Sequence, residues 1–372
     1  MLMFCTQCRQ TYLPPVSKNN NNFLVVDGFI ASGNDSTIIT LSRSTPISDS
    51  IFSVSESGAQ VSVVGDQGEV YFLTDAGNGN YYIPSLSLNS AEKYKLRIVT
   101  SNGSAYESDP QEVRASPPID SVSWEQSAPA PGAVNIYVTT HDPQNNTRYY
   151  KWDYVETWLY YSGLQSILEY TNDTLIYRPP ADDIFTCWHT RNSTDIFINS
   201  SEKLEDDVIF KNPLAQIAAP DDRLLKKYSL LVKQYAIDRT AFNYYQQLQN
   251  NSHNLGSIFG TTPSQLKGNI HNMNDSSEVV IGYISAGSIS QQRIFIDFSQ
   301  LNLWPPTSTY YANCELVLLG LNEYQFYLTQ GSYLPLYYKS SNGRPVGLWV
   351  GSPDCVDCRL HGGTNTKPSF WP

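Results

Sequence analysis

The last eighteen residues of the 372-residue sequence carry a pair of cysteines and a pair of aromatic residues. Cys355 and Cys358 are separated by two residues, and Phe370 and Trp371 lie near the C-terminal end. Terminal segments are usually polar and frayed. This composition instead predicts a tail that is anchored through its cysteines and buries its rings against the second half of the chain. It also indicates an oxidising compartment, where disulfides persist.

The cysteine count supports this interpretation. Two of the six cysteines lie in the first eight residues, which leaves an even set of four: Cys187, Cys314, Cys355 and Cys358. Four cysteines in an exported chain predict two disulfides, for which three pairings are possible and remain open. The two pairings that join the tail to Cys187 and Cys314 would close long loops, and each bond would contribute about 4 kcal/mol in the chain-entropy model.

The two tail cysteines allow two other interpretations. A redox pair needs a helix N-terminus in a βαβ setting, whereas Asp354 and Asp357 flank these cysteines. A zinc site is the second alternative, because the spacing of the tail cysteines and the next histidine resembles that of zinc ligands. We expect disulfides, with no metal and no cofactor. The ligands of the alternative zinc site would be Cys355, Cys358, His361 and either Cys187 or His189.

Composition restricts the class of protein. Charged residues make up 16% of the chain and aromatic residues 13%, with 26 tyrosines, whereas soluble domains usually contain about 25% charged residues. This profile is typical of exported β-rich proteins. The net charge of -11, without a cluster of Lys and Arg, argues against a nucleic-acid partner. No apolar run approaches the 18 residues that a membrane-spanning helix needs.

The N-terminal segment resembles the end of a signal peptide followed by a lipidation site. In Met1–Cys8 we interpret Cys8 as the acylated residue, with Cys5 as the alternative, and the asparagine-rich Lys18–Asn22 as part of a flexible tether. A cytoplasmic start with two free thiols is the other interpretation of this segment. The even number of remaining cysteines favours export, so we assign residues 1–22 to a signal remnant, lipidation site and tether.

Residues 23–117 are predicted to form an immunoglobulin-like or transthyretin-like β-sandwich. Short apolar or alternating runs recur every eight to twelve residues with turn residues between them. In the last run, Tyr94, Leu96 and Ile98 should face the core. The Pro117-Pro118 pair marks the predicted boundary. The predicted strands are 23–30, 37–41, 59–64, 69–73, 80–83 and 93–99.

Residues 118–372 are predicted to form a larger β-rich domain whose strands are longer and more aromatic. One helix is expected near residues 239–249, because Asp238 suits the N-cap position and apolar residues recur behind it at helical spacing. We therefore predict a mainly β protein with one or two short helices. The predicted strands are 135–139, 149–160, 194–198, 228–235, 278–284 and 293–298.

No catalytic residues are predicted. The chain has five histidines and no Gly-x-Ser-x-Gly elbow. Its paired aspartates, such as Asp182-Asp183, lie beside proline or in polar connections and suit loops better than a glycosidase site.

The aromatic run over residues 149–161 is the best candidate for a recognition surface. On a strand, alternate residues share a face, so one face would carry a row of Tyr and Trp side chains. This face is either core, because large aromatic residues dominate burial, or a contact platform, because they dominate binding hot spots. The residues of this candidate surface are Tyr150, Trp152, Tyr154, Trp158 and Tyr160.

Six segments carry a resemblance to a known family: residues 23–30, 187–190, 228–235, 255–270 and 280–286, together with Cys355-Val-Asp-Cys358. Together they resemble a family of Bacteroidota outer-membrane lipoproteins, domain of unknown function 4249. The resemblance implies a lipid-anchored outer-membrane protein, often encoded beside a SusC-like TonB-dependent transporter, with the mature chain starting at a cysteine that maps onto Cys8.

From the residues and this resemblance we expect a non-enzymatic accessory or ligand-capture partner of a TonB-dependent transporter. The cell surface is preferred to the periplasmic face of the outer membrane. The alternatives are a surface or periplasmic hydrolase with an unrecognised site, and an adhesin or structural module. A pocket with convergent His, Asp and Ser would favour the enzyme, whereas an apolar or aromatic patch would favour binding.

Overall fold

A computed structural model describes residues 22–45, 53–253, 268–305, 308 and 310–372, so Cys8 and the tether before residue 22 lie outside the described residues. The described residues are mainly in strands, which confirms the predicted fold class. None of the helices in these ranges is both long and apolar enough to span a membrane.

The helices are α1 (Arg239–His253), α2 (Tyr324–Thr329) and α3 (Pro353–Val356). The strands are β1 (Leu24–Ala31), β2 (Thr37–Ser44), β3 (Ser53–Ser55), β4 (Gln60–Gly65), β5 (Val70–Phe72), β6 (Thr74–Gly77), β7 (Asn80–Ile83), β8 (Lys93–Val99), β9 (Ala105–Ser108), β10 (Gln111–Arg114), β11 (Ile119–Gln126), β12 (Val134–His141), β13 (Tyr149–Tyr161), β14 (Leu168–Thr171), β15 (Thr174–Tyr177), β16 (Thr186–Asn192), β17 (Phe197–Ser200), β18 (Val208–Ile217), β19 (Lys227–Ile237), β20 (Ile270–Asn272), β21 (Val280–Ile281), β22 (Ala286–Gly287), β23 (Ile289–Asp297), β24 (Val317–Leu319), β25 (Leu334–Ser341) and β26 (Arg344–Gly351).

The chain divides into two compact units, and the first takes the described parts of Met1–Val113 and Gln265–Ala286. Its strands join in one sheet with the order β20-β9-β8-β10-β22-β1-β2-β7-β6, to which β3, β4, β5 and β21 add further pairs. Side chains of β1, β2 and β7 share one buried cluster with those of β4, β8 and β9. Tyr94, Leu96 and Ile98 lie in this cluster, as the alternation of β8 predicted.

The first unit differs from the predicted contiguous domain, because a segment that we assigned to residues 118–372 belongs to it. Strand β20 pairs antiparallel with β9, and β21 pairs parallel with β1, where Leu24 lies opposite Val280. Gly282 follows β21 with a φ of +151°, and a Cβ there would lie 2.2 Å from the carbonyl oxygen of Val26. These strands have only two or three residues, so their sequence shows too little alternation to reveal their partners.

The second unit takes the described parts of Arg114–Ser264 and Gly287–Pro372. One sheet has the order β11-β12-β18, and another has the order β16-β13-β19-β23 with β17 also paired to β13. Their apolar side chains meet in one core, in which Ile136 of the first sheet and Trp152 and Leu230 of the second are fully buried. Two smaller sheets, β14-β15 and β24-β26-β25, complete the unit.

Helix α1 begins where the sequence predicted and continues four residues further, to His253. The carboxylate of Asp238 accepts a hydrogen bond from the backbone N–H of Ala241 at 2.6 Å, which is the expected capping contact. Ala241 is fully buried, and the ring of Phe242 lies 5.3 Å from that of Tyr149 at the start of β13. Ala241 and Tyr244 of the helix are therefore buried, whereas Phe242, Tyr245 and Leu248 of the predicted stripe are only partly covered.

We predict that Asn269→Ala lowers the free energy of unfolding by roughly 2–4 kcal/mol, because it leaves two buried backbone groups without hydrogen-bond partners. The Asn269 side chain is buried, accepts from the N–H of Ile284 at 2.9 Å and donates to the carbonyl of the same residue at 2.8 Å. The change would be measured by chemical denaturation, with exposed Asn274→Ala as the control. Equal midpoints for the two variants would contradict this account of how the segment is held.

Candidate ligand-binding pocket

Strand β13 positions the site because it is hydrogen-bonded along both edges. On one side it pairs with β19 over eleven residues, from Tyr149 opposite Ile237 to Leu159 opposite Lys227. On the other side it pairs first with β17 and then with β16. The alternation of the strand places Tyr150, and every second residue after it, on one face.

The first half of this face is core, which corrects the candidate recognition surface. Tyr150 and Trp152 are fully buried and stack with their ring centroids 5.6 Å apart. The Tyr150 hydroxyl donates to Asp207 at 2.6 Å, and the Trp152 indole donates to Gln234 at 2.9 Å. Both polar groups are satisfied inside the protein, so these residues cannot form a contact surface. Large aromatic side chains bury more apolar area than any others, and the core takes them.

Tyr154, the next aromatic residue on the face, is half-buried and packs on the ring of Phe197 at 5.5 Å. Burial raises the pKa of the Tyr154 hydroxyl, and the charge of Glu156 acts in the same direction. This residue belongs to the border of the core.

A buried carboxylate follows in the middle of the face. Glu156 is 1% exposed, and its oxygens accept from Arg191 Nε at 2.6 Å, Arg223 Nη1 at 3.0 Å and the Tyr228 hydroxyl at 2.9 Å. Burial acts to lower the pKa of Arg223, but its contacts with Asp221 and Glu156 raise it. Burial, together with the charge of Glu156, raises the pKa of Tyr228 well above its ordinary value. The Glu156 side chain therefore lies between two guanidinium groups that donate hydrogen bonds to it.

Beyond Glu156 the face opens into a cavity of about 590 Å³, a volume suited to a small ligand. Trp158 and Tyr160, the last two residues of the predicted surface, line it. The cavity walls come from the end of β13, from β16, from the turn before β19, from residues 308 and 310–314 and from the tail. Its lining residues are Trp158, Tyr160, Tyr161, Ser162, Gly163, Phe185, His189, Asp222, Arg223, Leu225, Lys226, Ser308, Tyr310, Tyr311, Ala312, Cys314 and His361.

Aromatic rings supply most of the shape of this pocket. Trp158 stacks on the imidazole of His189 with centroids 4.5 Å apart. Tyr161 stacks on Phe185 at 4.9 Å. On another wall, Tyr310 meets the edge of the His361 ring at 4.5 Å. Such walls favour ligands with a flat or apolar face.

Tyr310 is mostly exposed, whereas its neighbour Tyr311 is half-buried. The ring centroids of Tyr311 and His361 lie 5.5 Å apart. Burial raises the pKa of the Tyr311 hydroxyl, so this group is neutral at physiological pH. Tyr311 therefore contributes an uncharged aromatic surface to this wall.

The polar groups in the pocket are mostly occupied by contacts with the protein itself. The Ser308 hydroxyl donates to the carboxylate of Asp222. His361 Nε2 donates to the carbonyl of Asp354 at 2.7 Å. The Tyr160 hydroxyl donates to the carbonyl of Cys358 at 2.6 Å, and burial raises its pKa to about 12. Within the described ranges, no serine hydroxyl in the pocket is hydrogen-bonded to a histidine, which is the contact that activates a nucleophile.

Two disulfides hold the walls together and confirm the prediction that the cysteines are paired. Cys187 of β16 is bonded to Cys358, and Cys314 is bonded to Cys355. Both tail cysteines thus reach the body of the unit, and Cys314 itself lines the pocket. Because all four sulfurs are in disulfides, none is available as a zinc thiolate or as a reduced redox pair. Among the described residues no group of three or more His, Cys, Asp or Glu side chains could hold a metal ion.

The tail continues across β16 after the disulfides. Trp188 and Thr364 exchange two backbone hydrogen bonds of 2.8 and 2.9 Å. Trp371 is 7% exposed, with its ring 5.6 Å from Phe295 in an edge contact. Phe370 is 40% exposed, and its ring stacks under the guanidinium of Arg293 at 3.5 Å. Trp371 is therefore buried as the composition of the tail predicted, whereas Phe370 is only partly covered.

Sequence reasoning did not identify several residues that line the pocket. Tyr161 lay on the other predicted face of β13, and Phe185 lies between two predicted strands. Tyr310 and Tyr311 precede Cys314 by only a few residues. Their closeness in sequence to a cysteine predicted to be bonded is the feature that could have placed them near the tail. Lys226 carried no signal, because a single lysine before a strand is common.

These features define a mainly β chain with a disulfide-bounded aromatic pocket in its second unit. A family model described as Domain of unknown function (DUF4249) matches residues 9–293. The chain therefore belongs to this family. No curated protein matches the sequence. The pocket walls at residues 308 and 310–314 and at His361 lie beyond the matched range.

We predict that removing the disulfides destabilises the protein in the order of their loop lengths. The Cys187–Cys358 bond closes 171 residues and the Cys314–Cys355 bond closes 41, which corresponds to about 5 and about 4 kcal/mol in the chain-entropy model. Paired Cys→Ala variants would be compared by chemical denaturation. The background would carry Ser at positions 5 and 8 to remove other thiols. Four free thiols in the denatured, unreduced background protein would refute the pairing.

We also predict that Glu156→Gln destabilises the protein by about 3 kcal/mol, because it breaks an ion pair of a buried carboxylate and leaves partly buried Arg223 without its second carboxylate. The measurement is the midpoint of urea unfolding, provided that the dependence of the unfolding free energy on urea concentration is unchanged. Glu315→Gln, at an exposed position, is the matched control and should change stability by less than about 0.5 kcal/mol. If both substitutions had the same small effect, the ionic cluster would not support the pocket floor.

Proposed function

We propose that this protein is a non-enzymatic, lipid-anchored outer-membrane protein that captures a small ligand for a TonB-dependent transporter. The observation that carries the proposal is the aromatic pocket of about 590 Å³ at the end of β13. Its size and its mainly apolar walls are those of a site that binds a ligand. The transporter, the outer membrane and the lipid anchor rest on the family resemblance.

The arrangement of polar groups favours binding over catalysis. A hydrolase would need a nucleophile within hydrogen-bond reach of a base. In the described part of the pocket, Ser308 instead donates to Asp222, and His361 donates to a backbone carbonyl. The strongly perturbed groups, Tyr160 and Tyr311, have raised pKa values and stay protonated. They are hydrogen-bond donors near neutral pH and not bases.

A hydrolase remains the second candidate because two histidines, an aspartate and two serines line the same cavity. Closer approach of His189 to Ser308 in a ligand-bound state would create the missing contact. Hydrolysis of a chromogenic ester by the purified protein, abolished by both Ser308→Ala and His189→Ala, would replace the binding proposal with this one.

The membrane part of the proposal is tested by expressing the protein in the source organism. We expect the protein in the outer-membrane fraction, and in vivo cross-linking followed by detergent extraction should recover a TonB-dependent transporter. Cys8→Ala should release soluble protein, since stable anchoring depends on acyl chains. Cys5→Ala is the matched control and should stay bound. Persistence of Cys8→Ala in the membrane, or recovery of no transporter, would contradict the assignment.

A further inference from the structure

A second cavity adjoins the aromatic pocket. It has a volume of about 500 Å³, and it shares three lining residues with the first cavity: Tyr161, Leu225 and Lys226. We call these three residues the shared ridge. A ligand of the first cavity that extends beyond it would pass over this ridge. The remaining lining residues of the second cavity are Leu159, Lys227, Asp297, Phe298, Trp371 and Pro372.

The ridge contains one charged side chain, and it is a cation. The ammonium of Lys226 lies 4.9 Å from the centroid of the Tyr161 ring. Considering only residues that the structure describes, no carboxylate lies within 4.0 Å of this ammonium. Arg223 in the first cavity differs, because it is hydrogen-bonded to Asp221 and Glu156. Within the described lining of the shared ridge, Lys226 is therefore the basic group with capacity for a ligand.

Two nearby aspartates are directed to other partners. Asp222 lines only the first cavity and accepts from Ser308. Asp297 lines only the second cavity and accepts from the backbone N–H and the hydroxyl of Ser299 at 3.0 and 2.7 Å. Neither belongs to the shared ridge. The negative charge of the whole chain is screened beyond about 8 Å in physiological salt, so the contact at the ridge decides which ligand charge is favoured.

Burial of Lys226 by a bound molecule strengthens the preference for an anionic ligand over a neutral one. A neutral, apolar ligand that covered the ridge would remove water from the ammonium without providing a hydrogen-bond acceptor, which is costly. A ligand with an acidic group would restore a charge-assisted hydrogen bond at the same place. The stacked Tyr161 and Phe185 rings would support a flat or apolar body beside it.

We propose that the pocket takes a small organic anion. Its flat or apolar body lies against the aromatic walls, and its acidic group lies on Lys226 at the shared ridge. This inference rests on the proposed ligand-capture function and deepens it by naming the chemical class of the ligand. The second cavity leaves room for the ligand to extend past the acidic group.

A pair of dyes separates the charge from the ring system. The first is 8-anilinonaphthalene-1-sulfonate, and the second is N-phenyl-1-naphthylamine, which has the same rings without the sulfonate. Fluorescence titration of the purified chain should show binding of both dyes. Lys226→Gln should weaken binding of the sulfonate roughly tenfold or more, as expected for the loss of a hydrogen bond to a charged group. Binding of the neutral dye should change less than twofold.

Two further variants locate the binding and control for charge. Tyr310→Ala removes a mostly exposed ring of the pocket wall, so it should weaken both dyes without unfolding the protein. Lys203→Gln removes an exposed charge elsewhere in the same unit and should affect neither dye. Thermal midpoints of all variants would establish that each is folded.

The outcomes separate the two proposals. If both dyes bind and both respond to Tyr310→Ala, but Lys226→Gln leaves the sulfonate unaffected, the anion proposal is wrong while ligand capture stands. An equal loss of affinity for both dyes in Lys226→Gln would also overturn the anion proposal, because the lysine would then act through the shape of the pocket and not through its charge. If neither dye binds, or neither responds to Tyr310→Ala, ligand capture at this pocket fails and the anion proposal fails with it.

Discussion

The second unit depends on the hydrogen bonding of β13 along both of its edges. Pairing with β19 on one side and with β16 and β17 on the other fixes the strand in register, and register fixes which side chains share a face. One face then runs from the buried Trp152 to Trp158 in the pocket wall. The scaffold and the candidate site are thus consecutive parts of one strand.

The ionic cluster at Glu156 separates these two parts. A carboxylate that is 1% exposed is costly unless it is paired and hydrogen-bonded. Arg191, Arg223 and the Tyr228 hydroxyl together meet that requirement. Arg223 also lines the cavity, so the bonds that satisfy the core anion orient a residue of the pocket floor. Arg223 therefore links the hydrogen bonding of the buried Glu156 side chain to the shape of the site.

The sequence predicted those features that depend on local periodicity. Strand β8 could be predicted with its inward residues, because Tyr94, Leu96 and Ile98 alternate with charged residues. The start of α1 could be predicted from Asp238. The pairing of β21 with β1 could not, because two-residue strands carry no period and their partner lies more than 250 positions away.

The candidate site was predictable only in part, for a related reason. Alternation places Trp152 and Trp158 on the same face, but only tertiary packing decides that the first is core and the second lines a cavity. Tyr310 and Lys226 come from connecting segments, whose positions depend on long-range contacts. The cysteine count predicted two bonds, but their pairing depends on the path of the tail across β16.

The nested arrangement of the two disulfides has a consequence for how the site is made. The loop that Cys187 and Cys358 close contains the whole loop that Cys314 and Cys355 close. Closing the outer loop needs a residue from β16 to meet one that is synthesised 171 positions later, so this bond cannot form before Cys358 has been synthesised. A nascent or reduced chain can pair β13 with its neighbours, yet it lacks covalently fixed walls. Oxidation is therefore the step that fixes the pocket walls covalently, and it follows the pairing of the strands in the order of events that the topology allows.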